Sequence, residues 1–210
     1  MSTRAQSASA LVRIHAQSHR GLEHQPFAGY TFSHSVGLVL PNLGIVAANP
    51  GRIRISRTRE TMLDGNDNVR LVMLQRSRTS APATQLGRDL TVEPGGAVAL
   101  FNCDLNAITF PEPSKLLALN LTRKMLRPLL RDFDMVLGRV IPKQVAPLRL
   151  LASYIEAVLN EPAPPTAEFS QLISAHIYDL ASLTMGATRD AAELAPGPNN
   201  PMTPSSCIGL

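Results

Sequence analysis

The hydrophobic period of this chain changes once, at about Leu121, and that change limits the fold more than any other feature. From Val36 to Leu121 apolar residues come in short runs separated by turn formers, the texture of an all-β barrel or sandwich. The runs place candidate strands at 36–40, 43–48, 52–58, 69–75, 89–92, 97–101, 106–109 and 115–121. Between them stand Asn49-Pro50-Gly51, Asp64-Gly65-Asn66-Asp67-Asn68, Glu93-Pro94-Gly95-Gly96 and Pro111-Glu112-Pro113, all of which favour turns over a continuing ladder. After Leu121 the spacing becomes helical. Thr122 is placed to cap a short helix through Met125, Leu126, Leu129 and Leu130, which Pro128 kinks. Pro147 then opens a helix whose stripe is Leu148, Leu151, Tyr154, Ile155, Val158 and Leu159 and which ends near Asn160. Beyond Pro162-Ala163-Pro164-Pro165, Thr166 caps a last helix with Phe169, Leu172, Ile173, His176, Ile177, Leu180 and Leu183 along one face and Gly186 as its stop. Two such stripes predict an antiparallel helix pair that packs on the β-domain, on a second copy of the chain, or on both.

These signals divide the chain into a flexible arm at 1–24, a β-barrel at 25–121, a helical dimerisation region at 122–190 and a disordered tail at 191–210. With 210 residues, 44% of them hydrophobic, the chain is long enough for one sizeable core. A formal charge of +4 is too mild to imply nucleic acid. Cys103 and Cys207 fit neither a disulfide framework nor a cysteine-bound metal, so a reducing, cytoplasmic setting is expected. No apolar run suits a signal peptide or a membrane span, and no membrane partner is expected.

The residues argue against catalysis. Four of the five histidines, His15, His19, His24 and His34, lie at or before the first predicted strand, and none falls within a strand core where several imidazoles would converge on an ion. His15 and His19 have i, i+4 spacing but sit in a segment that reads as a solvated arm, and His176 reads as a core or interface side chain. There is no nucleophile elbow, and Cys103 reads as a small hydrophobe. Gly95-Gly96 is a turn without the lysine or helix start of a phosphate cradle. No catalytic residue, metal or cofactor is therefore expected. In the stretch from Arg52 to Arg59, alternation turns Ile53 and Ile55 inward and Arg52 and Arg54 to solvent. Arg57 and Arg59 share the isoleucines' parity, and one of them, with Arg57 the nominee, is placed to meet the acidic group of a ligand at the barrel mouth.

Strands, a Gly-Arg-x-Leu-x-x-x-Pro-Gly turn at 87–95, a Leu-x-Leu-x-Arg-x-x-Leu step at 119–126 and two helices follow one another in a recognisable order. With Arg57-Thr58-Arg59, Pro147-Leu148-Arg149-Leu150-Leu151-x-x-Tyr154 and the run from His176 to Asp190, this order resembles the N-terminal, cupin-like effector-binding and dimerisation domain of AraC-type transcription regulators. The resemblance covers about 37–189 and implies an α+β fold: a cupin-like β-barrel or jelly roll of about eight strands followed by two or three α-helices. Two positions depart from the family pattern, Thr122 where proline is usual and Gly96 where aspartate is usual.

What the resemblance implies is a small-molecule effector held between the sheets, for which alternation nominates Ile45, Ile55, Leu71, Met73, Val98, Leu100 and Ile108 together with Arg57. It also implies dimerisation through Leu148, Leu151, Tyr154, Ile155, Leu172, His176 and Leu180, as a homodimer or a heterodimer with a full-length regulator. The family's paired helix-turn-helix units have no counterpart here, which leaves no recognition helix, so no autonomous specific DNA binding is expected and a truncated, frameshifted or natural short form of a regulator is. Two other readings stay open. A metal-free enzyme would use Glu60 or Asp104 as base, and a ligand-free dimerisation module would have a filled β-domain where a sensor has a cavity.

Overall fold

Each apolar run before Leu121 forms a strand, and three further strands come from sequence with little apolar signal. The computed structural model describes residues 21–27 and 34–193, with residues 34 and 187–193 described by their backbone alone. In chain order the strands are β1 (Glu23–Pro26), β2 (His34–Leu40), β3 (Leu43–Asn49), β4 (Ile53–Arg57), β5 (Val69–Arg76), β6 (Ala81–Gln85), β7 (Arg88–Val92), β8 (Ala97–Phe101), β9 (Asn106–Phe110), β10 (Lys115–Leu121) and β11 (Arg139–Ile141). The helices are α1 (Arg59–Met62), α2 (Arg123–Leu126), α3 (Phe133–Val136), α4 (Ala146–Leu159) and α5 (Ala167–Glu193), with a 3₁₀ turn at Arg127–Leu129 where Pro128 falls.

The strands make two antiparallel sheets. One has the order β1-β4-β9-β6-β7 and the other β11-β8-β5-β10-β3-β2. No described strand belongs to both sheets, so the expected closed barrel of about eight strands is instead a stack of two open sheets. The β-rich α+β class stands. The six-stranded sheet is the middle of three layers. Its Val46, Ala48, Val72, Leu74, Val98, Leu100, Leu116 and Ala118 pack against Ile53, Ile55, Ala83, Val92, Ile108 and Phe110 of the five-stranded sheet. Its opposite face, with Leu43, Ile45, Leu71, Met73, Ala97, Ala99, Leu117 and Leu119, packs against the helices. All five positions of β8 are buried because both its faces are covered, and a full-sized aliphatic side chain buried there contributes about 1.5–3 kcal/mol.

Helix α4 places Leu148, Leu151, Ala152 and Ile155 in that outer core, and α5 adds Ile173, Ile177, Ala181 and Met185. This corrects the expected dimer surface: Leu148, Leu151 and Ile155 cover the protomer's own sheet and cannot face a second chain. Thr166 does cap α5, its Oγ1 accepting from the Phe169 amide at 3.3 Å. Gly186 does not stop it. Its φ is not positive, so the left-handed turn that ends a helix does not form, and α5 continues through Glu193, past the boundary expected for the tail. Thr122 makes no side-chain cap on α2; its amide donates to Tyr178 Oη of α5 at 2.8 Å instead.

The strands that sequence patterning does not reveal are short, from three to five residues. β1 reads Glu-His-Gln-Pro and pairs along β4, so Glu23 and His24, expected in a flexible arm, belong to a sheet edge. β6 contains Pro82, which sits outside the stretch paired with β9 and so removes no bond from that ladder. The rest of the arm (1–20) and of the tail (194–210) lies outside the described residues, as do His15, His19 and Cys207. Gly96 has a structural reason of its own: a Cβ there would stand 3.0 Å from the backbone oxygens of both Glu93 and Ile141, so the close approach of β11 leaves little room for a side chain.

Candidate functional site

The space between the sheets narrows to a chamber of about 40 Å³ lined by Val46, Ile55, Val72, Ile108, Phe110 and Leu116, with Leu22, Asn120 and Arg70 at its edge. Arg70 is the departure from an otherwise apolar wall. It lies opposite Asn120 on β10 and Leu100 on β8, and the parity that turns Val72 and Leu74 inward turns its guanidinium inward too. Only 4% of Arg70 is exposed. Its Nη2 donates to Asn106 Oδ1 at 2.8 Å, while Nε and Nη1 have no hydrogen-bond partner among the described residues. Burial, reinforced by the neighbouring charge of Arg57, draws its pKa down to about 10, which still leaves it protonated at neutral pH.

Leu22 and Asn120 also border a second, more open groove of about 280 Å³. Its walls carry Asn42, Asn66, Asn68, Asn102 and Asn120 with Thr122 at the rim. Asn102 is buried, its Nδ2 donates to Asn66 Oδ1 at 3.4 Å, and its Oδ1 has no partner among the described residues. The site is thus an apolar chamber with a cation in its lining, beside a groove of carboxamides with which it shares Leu22 and Asn120.

Arg57 does not serve this site. Its Nε donates to Asn102 O at 2.8 Å, its Nη1 to Gly21 O at 2.5 Å and to Asp64 Oδ2 at 2.9 Å, and its Nη2 pairs with Asp64 Oδ1. The expected ligand contact is instead a pin joining β4, the start of β1 and the loops at 64 and 102. Hydrogen bonding to Arg57 holds the Asp64 carboxyl below its ordinary value. Of the other nominated residues, Ile55, Val98, Leu100 and Ile108 do lie in the core between the sheets, and Ile55 and Ile108 line the chamber. Ile45, Leu71 and Met73 point the other way, into the helix-facing core. Alternation does not say which face of β5 is which, because both are covered, and Arg70, one residue before Leu71, lies on the face between the sheets. The signal that would have found the site is the same residue read differently, as a charge interrupting an apolar strand.

Among the dimer candidates, Leu172 is 49% exposed and His176 is exposed, with Phe169 and Leu183 on the same side of α5. Tyr154 Oη lies 3.1 Å from His176 Nδ1, which ties α4 to α5 at the edge of that face, and Leu180 is half-buried. Glu60 is exposed at the start of α1 and Asp104 sits in the β8–β9 loop with Oδ1 accepting from the Leu105 amide; neither lines the chamber. Among the described residues no three His, Cys, Asp or Glu side chains converge, and no helix is long and apolar enough to cross a membrane. Cys103 is half-buried beside the helix-facing core.

No family model and no curated protein matches the chain. Among solved structures it is similar to the AraC-like transcriptional activator CuxR, with a TM-score of 0.66 and 15% sequence identity over 83% of this chain and 65% of that one. It is also similar to a cupin superfamily protein from Desulfitobacterium hafniense (TM-score 0.34, 12% identity, 44% of this chain and 81% of that one). A Cupin 2 conserved barrel domain protein from Salinispora arenicola aligns with TM-score 0.33 and 14% identity over 50% of this chain and 92% of its own. The chain thus shares the fold of part of an AraC-like activator and spans 65% of that protein's length.

Proposed function

We propose that the chain is an effector-sensing and dimerisation domain of the AraC type. The observation that carries this reading is the likeness to an AraC-like activator over 83% of the chain, helices included. Two features of the molecule support it. The chamber and groove supply apolar walls with a few convergent polar groups, the make-up of small-molecule sites. The outward side of α5, with Phe169, Leu172 and Leu183, remains apolar after the other side has covered the sheet. The occupant proposed for that face is a second copy of this chain, or a longer regulator that shares the domain. Specific DNA binding by this chain alone is not part of the proposal.

The test is sedimentation of the purified chain together with a thermal-shift screen of small metabolites. A dimer that one class of ligand stabilises supports the proposal. A dimer indifferent to every ligand assigns the chain to dimerisation alone, and a monomer that binds nothing refutes both parts.

A further inference from the structure

The charge balance of the interior is incomplete. Arg57 is matched by Asp64, and both of that carboxylate's oxygens are engaged by it. Among the described residues Arg70 has only the neutral Asn106 amide. No described carboxylate bonds Arg70. Residues 1–20, 28–33 and 194–210 contain neither aspartate nor glutamate. Asp190 and Glu193 stand at the end of α5, which packs on the opposite face of the middle sheet. A buried cation left without a counter-charge is costly, and arginine, the residue best suited to grip a planar anion, lines the chamber opposite Asn120, which the chamber shares with the groove.

We propose that Arg70 is the anchor for a small organic acid, whose carboxylate takes up the Nε and Nη1 donors while its hydrocarbon part lies against Val72, Ile108 and Phe110. The inference rests on the sensor reading and names the ligand class of the same site. Size limits the ligand: the inner chamber of about 40 Å³ holds about three atoms of water size, so only a short apolar tail enters it. Anything larger extends into the groove, where Asn68, Asn102 and Asn120 offer hydrogen bonds to hydroxyl or amide groups. Asn102 Oδ1, buried and without a protein partner among the described residues, selects a donor on that part of the ligand.

The full chain is titrated calorimetrically and by thermal shift with short aliphatic and aromatic monocarboxylates, with the matching primary amides, and with phosphate and chloride. The expected result is that acids bind and raise Tm while their amides and the inorganic ions do not. In Arg70→Met the affinity for the acid should fall about 10- to 100-fold, the loss expected for a charge-assisted contact. The ligand-free Arg70→Met protein should melt no lower than the wild type, because an apolar side chain of similar size replaces an unmatched charge. Arg70→Gln serves the same comparison where the Met variant does not fold. Equal binding of acids and amides, unchanged acid affinity in the Arg70 variants, or an equal response to phosphate or chloride overturns the carboxylate anchor. If neutral compounds bind while acids do not, the sensor reading survives without the anchor; if no compound of any class shifts Tm, both fall.

Discussion

At the scale of single residues the two buried arginines do opposite things with the same side chain. Arg57 spends its donors on Asp64 and on two backbone carbonyls, so Arg57→Ala should destabilise the fold by about 3 kcal/mol, read from urea unfolding. The figure is at the low end for a broken buried pair because the Asp64 side chain is 34% exposed and water recovers part of the loss. The pH dependence follows from the direction of the Asp64 shift. Its folded-state pKa is held below the ordinary 3.8, so its contribution is complete above that value and is lost as the pH falls through the lower, folded one. Asp64→Asn should therefore be less stable than the wild type at pH 7, and the two should converge below pH 3.8 in acid unfolding followed by circular dichroism. Sequence parity selected Arg57 as the inward arginine and it is indeed buried. What parity leaves out is a partner seven positions away in a turn, which converts a candidate ligand contact into a structural one.

At the scale of elements, strands with one covered face or a strong apolar run are legible and the rest are not. The runs at 97–101 and 115–121 form strands with those same limits, because nothing but burial explains such sequences. Their phase is another matter. When both faces of a sheet are covered, alternation carries no information about which face is which, and Leu71 and Met73 were placed on the wrong side for that reason. Polar edge strands such as β1 are formed by pairing rather than by hydrophobicity, and no composition signal marks them. Helix α5 shows the same ambiguity resolved by packing: its stripe is broad enough to cover the sheet with Ile173 and Ile177 and still leave Phe169 and Leu172 outside. The two sides should separate in mutation. Leu151→Ala, on the sheet-facing side of α4 in the outer core, should cost about 2–5 kcal/mol of stability at any protein concentration. Leu172→Asp should change stability of the single chain by roughly 0.5 kcal/mol or less and, under the proposed function, convert the dimer to a monomer in sedimentation.

At the scale of the whole molecule, three layers are stacked so that the middle sheet is the common wall of the chamber between the sheets and the helix core. β5 carries Arg70 on one face and Leu71 on the other, and this sharing of a wall is what the sequence could not disclose, since it depends on which elements cover which faces. There is also a connection that bypasses the wall. Tyr178 of α5, buried to 4% exposure, donates its hydroxyl hydrogen to Asn42 O at 2.6 Å and accepts from the Thr122 amide at 2.8 Å, and both Asn42 and Thr122 belong to the rim of the carboxamide groove. Burial raises the pKa of that phenol, so it keeps its proton at physiological pH. Tyr178→Phe should cost about 1–3 kcal/mol, measured by chemical unfolding. Under the proposed function it should also leave ligand affinity the same for monomer and dimer, where the intact protein distinguishes them. The reason is reciprocity: a helix whose seating depends on the groove's rim must, when a second subunit fixes that helix, alter the groove in return. A single phenolic oxygen would then let an effector inside the sandwich and a neighbour outside it each register the other's arrival.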